Sequence, residues 1–144
     1  MFLVSMQIVT GPSFNNSTFM SAPNSPVFTS FPNAQLKSAI QKGMMILVGI
    51  EETDSREDID WLCKKIVNLR IFDDENGVMN KSILEDEGNI LVISQFTLHA
   101  STKKGNRPSY IKAAKPEISI PLYEQFCKDL SCALGKEEIG RAHV

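Results

Sequence analysis

From Gln35 onward apolar and polar positions fall into recognisable periods. Met44 to Ile50 is a short, almost wholly apolar run after Lys42-Gly43, the pattern of a central strand. Asp54 then reads as a helix N-cap, with Glu57 three residues on in capping-box spacing and Asp58 in the first turn to suit the dipole. Ile59, Leu62, Cys63, Ile66 and Leu69 recur on one face, which predicts packing against a sheet. Trp61 lies off that stripe, which suits covering an edge or sitting at a subunit contact, and edge cover is the preferred reading. Between Arg70-Ile71-Phe72 and Val78-Met79, the segment Asp73 to Gly77 ends in Asn-Gly, the strongest short hairpin signal. Gly88-Asn89 feeds the β-favouring run Ile90 to Ile93, which stops in polar residues. Strand alternation places Leu91, Ile93, Gln95 and Thr97 on one face, and Ile90, Val92, Ser94, Phe96 and Leu98 on the other. Pro121 at a first helical position predicts a second helix, in which Leu122, Phe126, Leu130 and Leu134 recur every fourth residue before Gly135.

Residues 1–34 break this order. Pro12, Pro23, Pro26 and Pro32 sit among many Ser, Asn and Thr, and no charged residue precedes Lys37. Only Val4 to Val9 suits a short strand; Gly11-Pro12 reads as an ordinary turn, and residues 1–34 are expected to be poorly ordered. The fold class is α/β: a single domain with a mixed or antiparallel curved sheet, barrel-like, and two packed helices over residues 35–136.

A chain of 144 residues with 42% hydrophobic and 22% charged residues suits one core. The net charge of −2 makes no global case for nucleic acid, so any RNA contact has to be local, and neither DNA nor a membrane is expected as a partner. Cys63, Cys127 and Cys132 are odd in number and lack paired ligand spacing, which favours reduced thiols over a disulfide framework or zinc site. The amino-terminal apolar run is too short for a signal-peptide core and no run reaches spanning length, so a cytoplasmic location is expected. The acidic run Asp73 to Glu75 lacks the spacing of a calcium loop, as does Glu85 to Glu87, and both read as solvated turns. Neither a P-loop nor a Gly-x-Gly-x-x-Gly turn occurs, which disfavours a nucleotide-dependent enzyme; no cofactor and no metal is expected.

Ser94, Gln95 and Thr97 form the chemical tip of the chain. From spacing alone the plainer reading, polar groups that finish a strand and bond neighbouring backbone, is preferred. The pentapeptide Ser94-Gln95-Phe96-Thr97-Leu98 resembles the signature of the D-aminoacyl-tRNA deacylases. Gly43 to Ile50, Asp60-Trp61-Leu62, Lys65 to Phe72, Gly77 to Asn80 and Lys104 to Tyr110 match that family in the same order. The resemblance implies a D-aminoacyl-tRNA deacylase-like fold and hydrolysis of the ester bond of D-aminoacyl-tRNA, with glycine on tRNA-Ala as a second substrate. It implies Ser94, Gln95, Phe96 and Thr97 as catalytic residues, and Lys103, Lys104 and Arg107 beside Tyr110 as contacts to the tRNA acceptor end. Ester hydrolysis needs water and donors where negative charge develops, which strand-end N–H groups and Gln95 can supply. Thr97 has no base partner in the sequence, so it is expected to orient substrate or water rather than to form an acyl-enzyme. His99 is read as a structural residue sharing the face of Gln95 and Thr97.

The resemblance also implies a homodimer in which an Asn-x-Gly-Pro loop near the carboxyl end enters the partner's pocket and excludes L-amino acids, while the terminal 2′-hydroxyl assists the chemistry. After Lys136 this chain departs from that pattern. Ile139 to Val144 is the translation of the opening of a widely used sequencing-library adapter, so residues 137–144 are expected to be a non-native tail and His143 is excluded from the chemistry. The alternative function is a non-catalytic tRNA- or RNA-binding fragment without the Gly-Pro loop.

Overall fold

The computed structural model describes residues 2–15, 39–103, 105–136 and 139–143. Its elements, in order, are β1 (Leu3–Asn15), β2 (Ala39–Gly49), α1 (Arg56–Asn68), β3 (Phe72–Asp73), β4 (Met79–Lys81), β5 (Asn89–Ser94), a 3-10 turn (Phe96–His99), α2 (Pro116–Leu134) and β6 (Gly140–His143). Four strands form one sheet in the order β1-β2-β5-β6, and β3 pairs with β4 as a separate hairpin. β1 is antiparallel to β2, whereas β2, β5 and β6 run parallel.

The sheet is therefore mixed, as expected, but it is not barrel-like. Among the described residues β1 and β6 stand on opposite edges and do not pair, so the four-stranded sheet is open. The strand predicted over Val4–Val9 extends over Leu3–Asn15. Gly11-Pro12 is not a turn. It falls where the β1–β2 register shifts between Thr10 and Phe14, a place on an edge strand where a proline without a donor is tolerated.

The alternation read from β5 holds within the strand. Ile90 and Val92 join Met44, Ile46 and Val48 of β2 against Ile59, Ile66, Phe126 and Leu130 of the two helices. Leu91 and Ile93 join Ile40 and Met45 in a second cluster on the opposite face. Burial on both faces is what a parallel pair with continuous apolar runs requires. A buried hydrogen bond from Tyr123 Oη to the Val92 carbonyl, 3.1 Å, ties α2 to β5.

Both helix starts differ from the sequence reading. α1 is capped by Ser55, not Asp54: the Asp58 carboxylate accepts from the Ser55 amide and hydroxyl, each at 2.9 Å. Those two bonds hold the Asp58 carboxyl below its ordinary range, the amide contributing most. Asp54 instead accepts from the Glu51 amide at 2.7 Å, closing the turn before the helix. On the buried face of α1, Val67 is buried and Leu69 only half-buried, while Trp61 is 64% exposed. α2 starts at Pro116, five residues before Pro121, which lies inside the helix at the expense of one ladder bond. Its end is as expected, with Gly135 in the left-handed conformation.

The hairpin also forms as expected. Asp74 Oδ1 accepts from the Val78 amide at 3.1 Å and the Asn76 amide at 2.9 Å, which lowers the Asp74 pKa, and Gly77 takes φ 72°. Among the described residues no group of His, Cys, Asp or Glu is arranged to hold a metal, and no helix is long and apolar enough to cross a membrane.

Cys63 and Cys127 are buried and Cys132 is exposed. Burial, reinforced by the nearby Asp129 charge, pushes the Cys63 thiol up to about 12. A native chain is accordingly expected to react with a maleimide at Cys132 alone, and at all three thiols in denaturant, as counted by mass spectrometry. The unfolded Cys63 ionises from its ordinary value of 9.0. Its burial thus favours the fold fully below that pH, and the contribution is lost as pH rises towards 12.

Candidate active site

The signature residues reach their place through the β2–β5 pair. Gly43 pairs with Asn89, and the register runs through Met44 with Ile90 to Val48 with Ser94. A last ladder bond joins the Gln95 amide to the Val48 carbonyl at 2.8 Å. There the strand stops. Phe96–His99 forms a 3-10 turn, closed by Leu98 N–H on the Gln95 carbonyl at 3.3 Å and Ala100 N–H on the Thr97 carbonyl at 3.1 Å.

Strand alternation therefore ends at Ser94, and Gln95 and Thr97 do not share a strand face as predicted. They meet all the same, because the turn folds Thr97 back so that Gln95 Nε2 donates to Thr97 Oγ1. That is the one hydrogen bond Thr97 Oγ1 makes among the described residues, and an amide cannot take a proton from it. Ser94, Gln95 and Thr97 are half-buried, so the polar tip is accessible from one side.

Phe96 is exposed and lies edge-on to Tyr110, with ring centroids 5.2 Å apart at 69°. This contact seats the loop between Ala100 and Tyr110 beside the signature. The loop is pinched by paired backbone bonds between Ser101 and Ser109, both 2.9 Å. Lys103 and Arg107 are exposed on the pinched segment and form no ion pair among the described residues; Lys104 lies outside the described residues. Ser94, Gln95, Phe96, Thr97 and Tyr110 are thus brought together, with two of the predicted cations on the adjoining loop.

The face expected for His99 is not the one it takes. The residue lies behind the turn rather than on a face with Gln95 and Thr97, its side chain 1% exposed. Nδ1 is 3.5 Å from Glu51 Oε1, and neither ring nitrogen makes a hydrogen bond among the described residues. Sequence reasoning missed Glu51, which lies just past the end of β2; the available signal was its spacing from Gly49, a glycine inside an otherwise bulky apolar run.

The chain matches the family described as D-Tyr-tRNA(Tyr) deacylase over residues 27–142. It is 98% identical over 101 residues to the D-aminoacyl-tRNA deacylase of Bacteroides fragilis, covering 70% of this chain and 67% of that protein. It is 87% identical over 103 residues to the D-aminoacyl-tRNA deacylase of Bacteroides thetaiotaomicron, covering 72% and 69%. Among solved structures, the c-Myc DNA Unwinding Element Binding Protein superposes with TM-score 0.76 at 29% identity, over 100% of this chain and 85% of that one. A probable eukaryotic D-amino acid tRNA deacylase superposes with TM-score 0.66 at 17% identity, over 95% and 71%, which shows shared fold alone.

Proposed function

Because the chain belongs to the D-Tyr-tRNA(Tyr) deacylase family, we propose that it hydrolyses the ester bond of D-aminoacyl-tRNA, releasing the free D-amino acid and tRNA. The observation that carries this reading is the Gln95–Thr97 contact at the tip of β5, beside the exposed Phe96–Tyr110 pair. It offers an amide and a hydroxyl, fixed in relative position, to an ester carbonyl and a water, and an aromatic surface to a terminal base. Ser94, Gln95, Phe96 and Thr97 make up the reactive floor. Thr97 orients, and the strand-end amides with Gln95 stabilise developing negative charge. Glycine on tRNA-Ala is a second substrate on this reading, since a pocket that selects handedness by shape has nothing to reject in a residue without a side chain.

Lys103, Lys104 and Arg107 hold acceptor-end phosphates. The expected result of replacing Lys103 or Arg107 by alanine is weaker tRNA binding with a salt slope reduced by about 0.7–0.9 per residue, measured by filter binding across salt concentrations. A homodimer and a cytoplasmic location, where charged tRNA is found, belong to the same proposal. So does the division of the chain into an atypical segment 1–34, a deacylase-like unit 35–136 and a non-native tail 137–144.

The test is incubation with D-Tyr-tRNA and L-Tyr-tRNA in parallel, scoring released tyrosine. Cleavage of the D-ester is the expected result, and the parallel L-ester measures how far this chain selects handedness without the Gly-Pro loop. Tight tRNA binding with both esters intact would replace it by the non-catalytic RNA-binding reading.

A further inference from the structure

Behind the turn that carries Gln95 and Thr97, the imidazole of His99 fills the space between two strands' ends. A methyl group built on Gly49 would lie 2.9 Å from His99 Nε2, 3.0 Å from its Cδ2 and 3.2 Å from the Gln95 carbonyl oxygen. The ring therefore touches the β2 backbone where the Gln95 carbonyl also approaches it. On its other side Nδ1 faces the Glu51 carboxylate at 3.5 Å. Glu51 is itself held: its amide donates to Asp54 Oδ2 at 2.7 Å, and its backbone bridges to Ala113. The neighbouring Ile50 carbonyl takes the Ala114 amide at 2.8 Å, and the Ala113 amide returns to the Tyr110 carbonyl at 2.9 Å. One short segment, Gly49 to Glu51, thus anchors both the signature turn and the base of the cationic loop.

A residue that only filled this space would be better apolar. A buried imidazole whose nitrogens make no hydrogen bond among the described residues, and whose Nδ1 only faces a carboxylate at 3.5 Å, has surrendered its hydration for little in return, and such groups call for an explanation other than stability. We infer that His99 is a positioning residue for the deacylation proposed above: backed by the Glu51 carboxylate and wedged against Gly49, it fixes where the Gln95–Thr97 turn stands at the end of β5. The inference rests on that reading for its chemical consequence and on the geometry alone for the placement. His99 acts through the backbone of the turn, since no hydrogen bond joins it to the side chain of Gln95 or Thr97.

The experiment compares the full chain with His99→Phe, His99→Gln and Glu51→Gln. It measures thermal midpoint, kcat and KM separately on D-Tyr-tRNA, and amide hydrogen exchange at residues 95–99. His99→Phe keeps a planar ring and removes both ring nitrogens. It is expected to retain or raise the midpoint while kcat falls about 10- to 100-fold at unchanged KM, the signature of a misplaced reacting group. His99→Gln, which restores a donor towards Glu51, is expected to recover part of that loss. Glu51→Gln, a change at a side chain 24% exposed, is expected to lower kcat in the same sense and to speed exchange at residues 95–99 by about 10-fold. If His99→Phe does not fold, the Glu51→Gln result decides alone. Unchanged kcat and unchanged exchange in folded variants would reduce His99 to a core filler and overturn the inference. Should the unaltered chain leave D-Tyr-tRNA intact, the deacylase reading fails by itself, and the exchange data still decide whether the His99–Glu51 pair holds the turn.

Discussion

Gly43→Ala is expected to abolish cooperative folding. Gly43 has φ 142°, and a Cβ placed there would stand 1.8 Å from the Asn89 carbonyl oxygen, 2.5 Å from its nitrogen and 2.7 Å from its carbonyl carbon. All three obstacles are backbone, so no side chain can turn aside. The chain would have to open the β2–β5 pairing at its first link, and the register that ends with Ser94 opposite Val48 starts there. Backbone strain alone costs about 1–3 kcal/mol at such a position, and separation of the central ladder adds to it against a total stability of about 5–15 kcal/mol for a domain. Gly77→Ala is the matched control. Gly77 also has positive φ, 72°, but nothing lies within 4 Å of the place a methyl would take there, so its cost is limited to about 1–2 kcal/mol of left-handed strain. Urea unfolding followed by circular dichroism separates the two: a shifted midpoint for Gly77→Ala, and no cooperative transition for Gly43→Ala. A normal transition in Gly43→Ala would show that β2 and β5 do not meet this closely.

The second large effect falls on turnover. Gln95→Ala removes the side-chain amide that donates to Thr97 and that, on the proposed reading, stabilises the developing oxyanion. Loss of one such donor lowers kcat by about 100- to 1,000-fold in enzymes of this chemical class. Thr97→Ala should cost less, about 10-fold, if the hydroxyl places groups as proposed and does not become covalently attached. Single-turnover hydrolysis of D-Tyr-tRNA measures both. A complete loss in Thr97→Ala, accompanied by a trapped acyl-enzyme in the unaltered chain, would make Thr97 the nucleophile and overturn the assignment.

Much of the fold was legible because its elements are strongly periodic. β2, the Asn76-Gly77 hairpin, the stripe of α1 and the Gly135 stop of α2 stand where pattern places them. The errors lie at ends. Asp54–Glu57 and Ser55–Asp58 both satisfy the capping spacing; Asp54 is withdrawn by its bond to the Glu51 amide, which no local rule reveals. Pro116 and Pro121 both suit a first turn, and the earlier one starts α2. Phe96 and Leu98 continue the period of β5 beyond Ser94, so the 3-10 turn was hidden behind an unbroken alternation. The open sheet and the His99–Glu51 pair depend on which strands adjoin, and residues so far apart along the chain leave no periodic trace of their contact.

The parallel run of β2 and β5 has a consequence for the order of assembly. Two strands pointing the same way cannot be joined by a tight reversal, so residues 50–88 must cross over the sheet before Ser94 can come to rest beside Val48. The polar tip at Ser94 to Thr97 is consequently placed by a long-range pairing, of the kind that closes slowly, and not by its own local sequence.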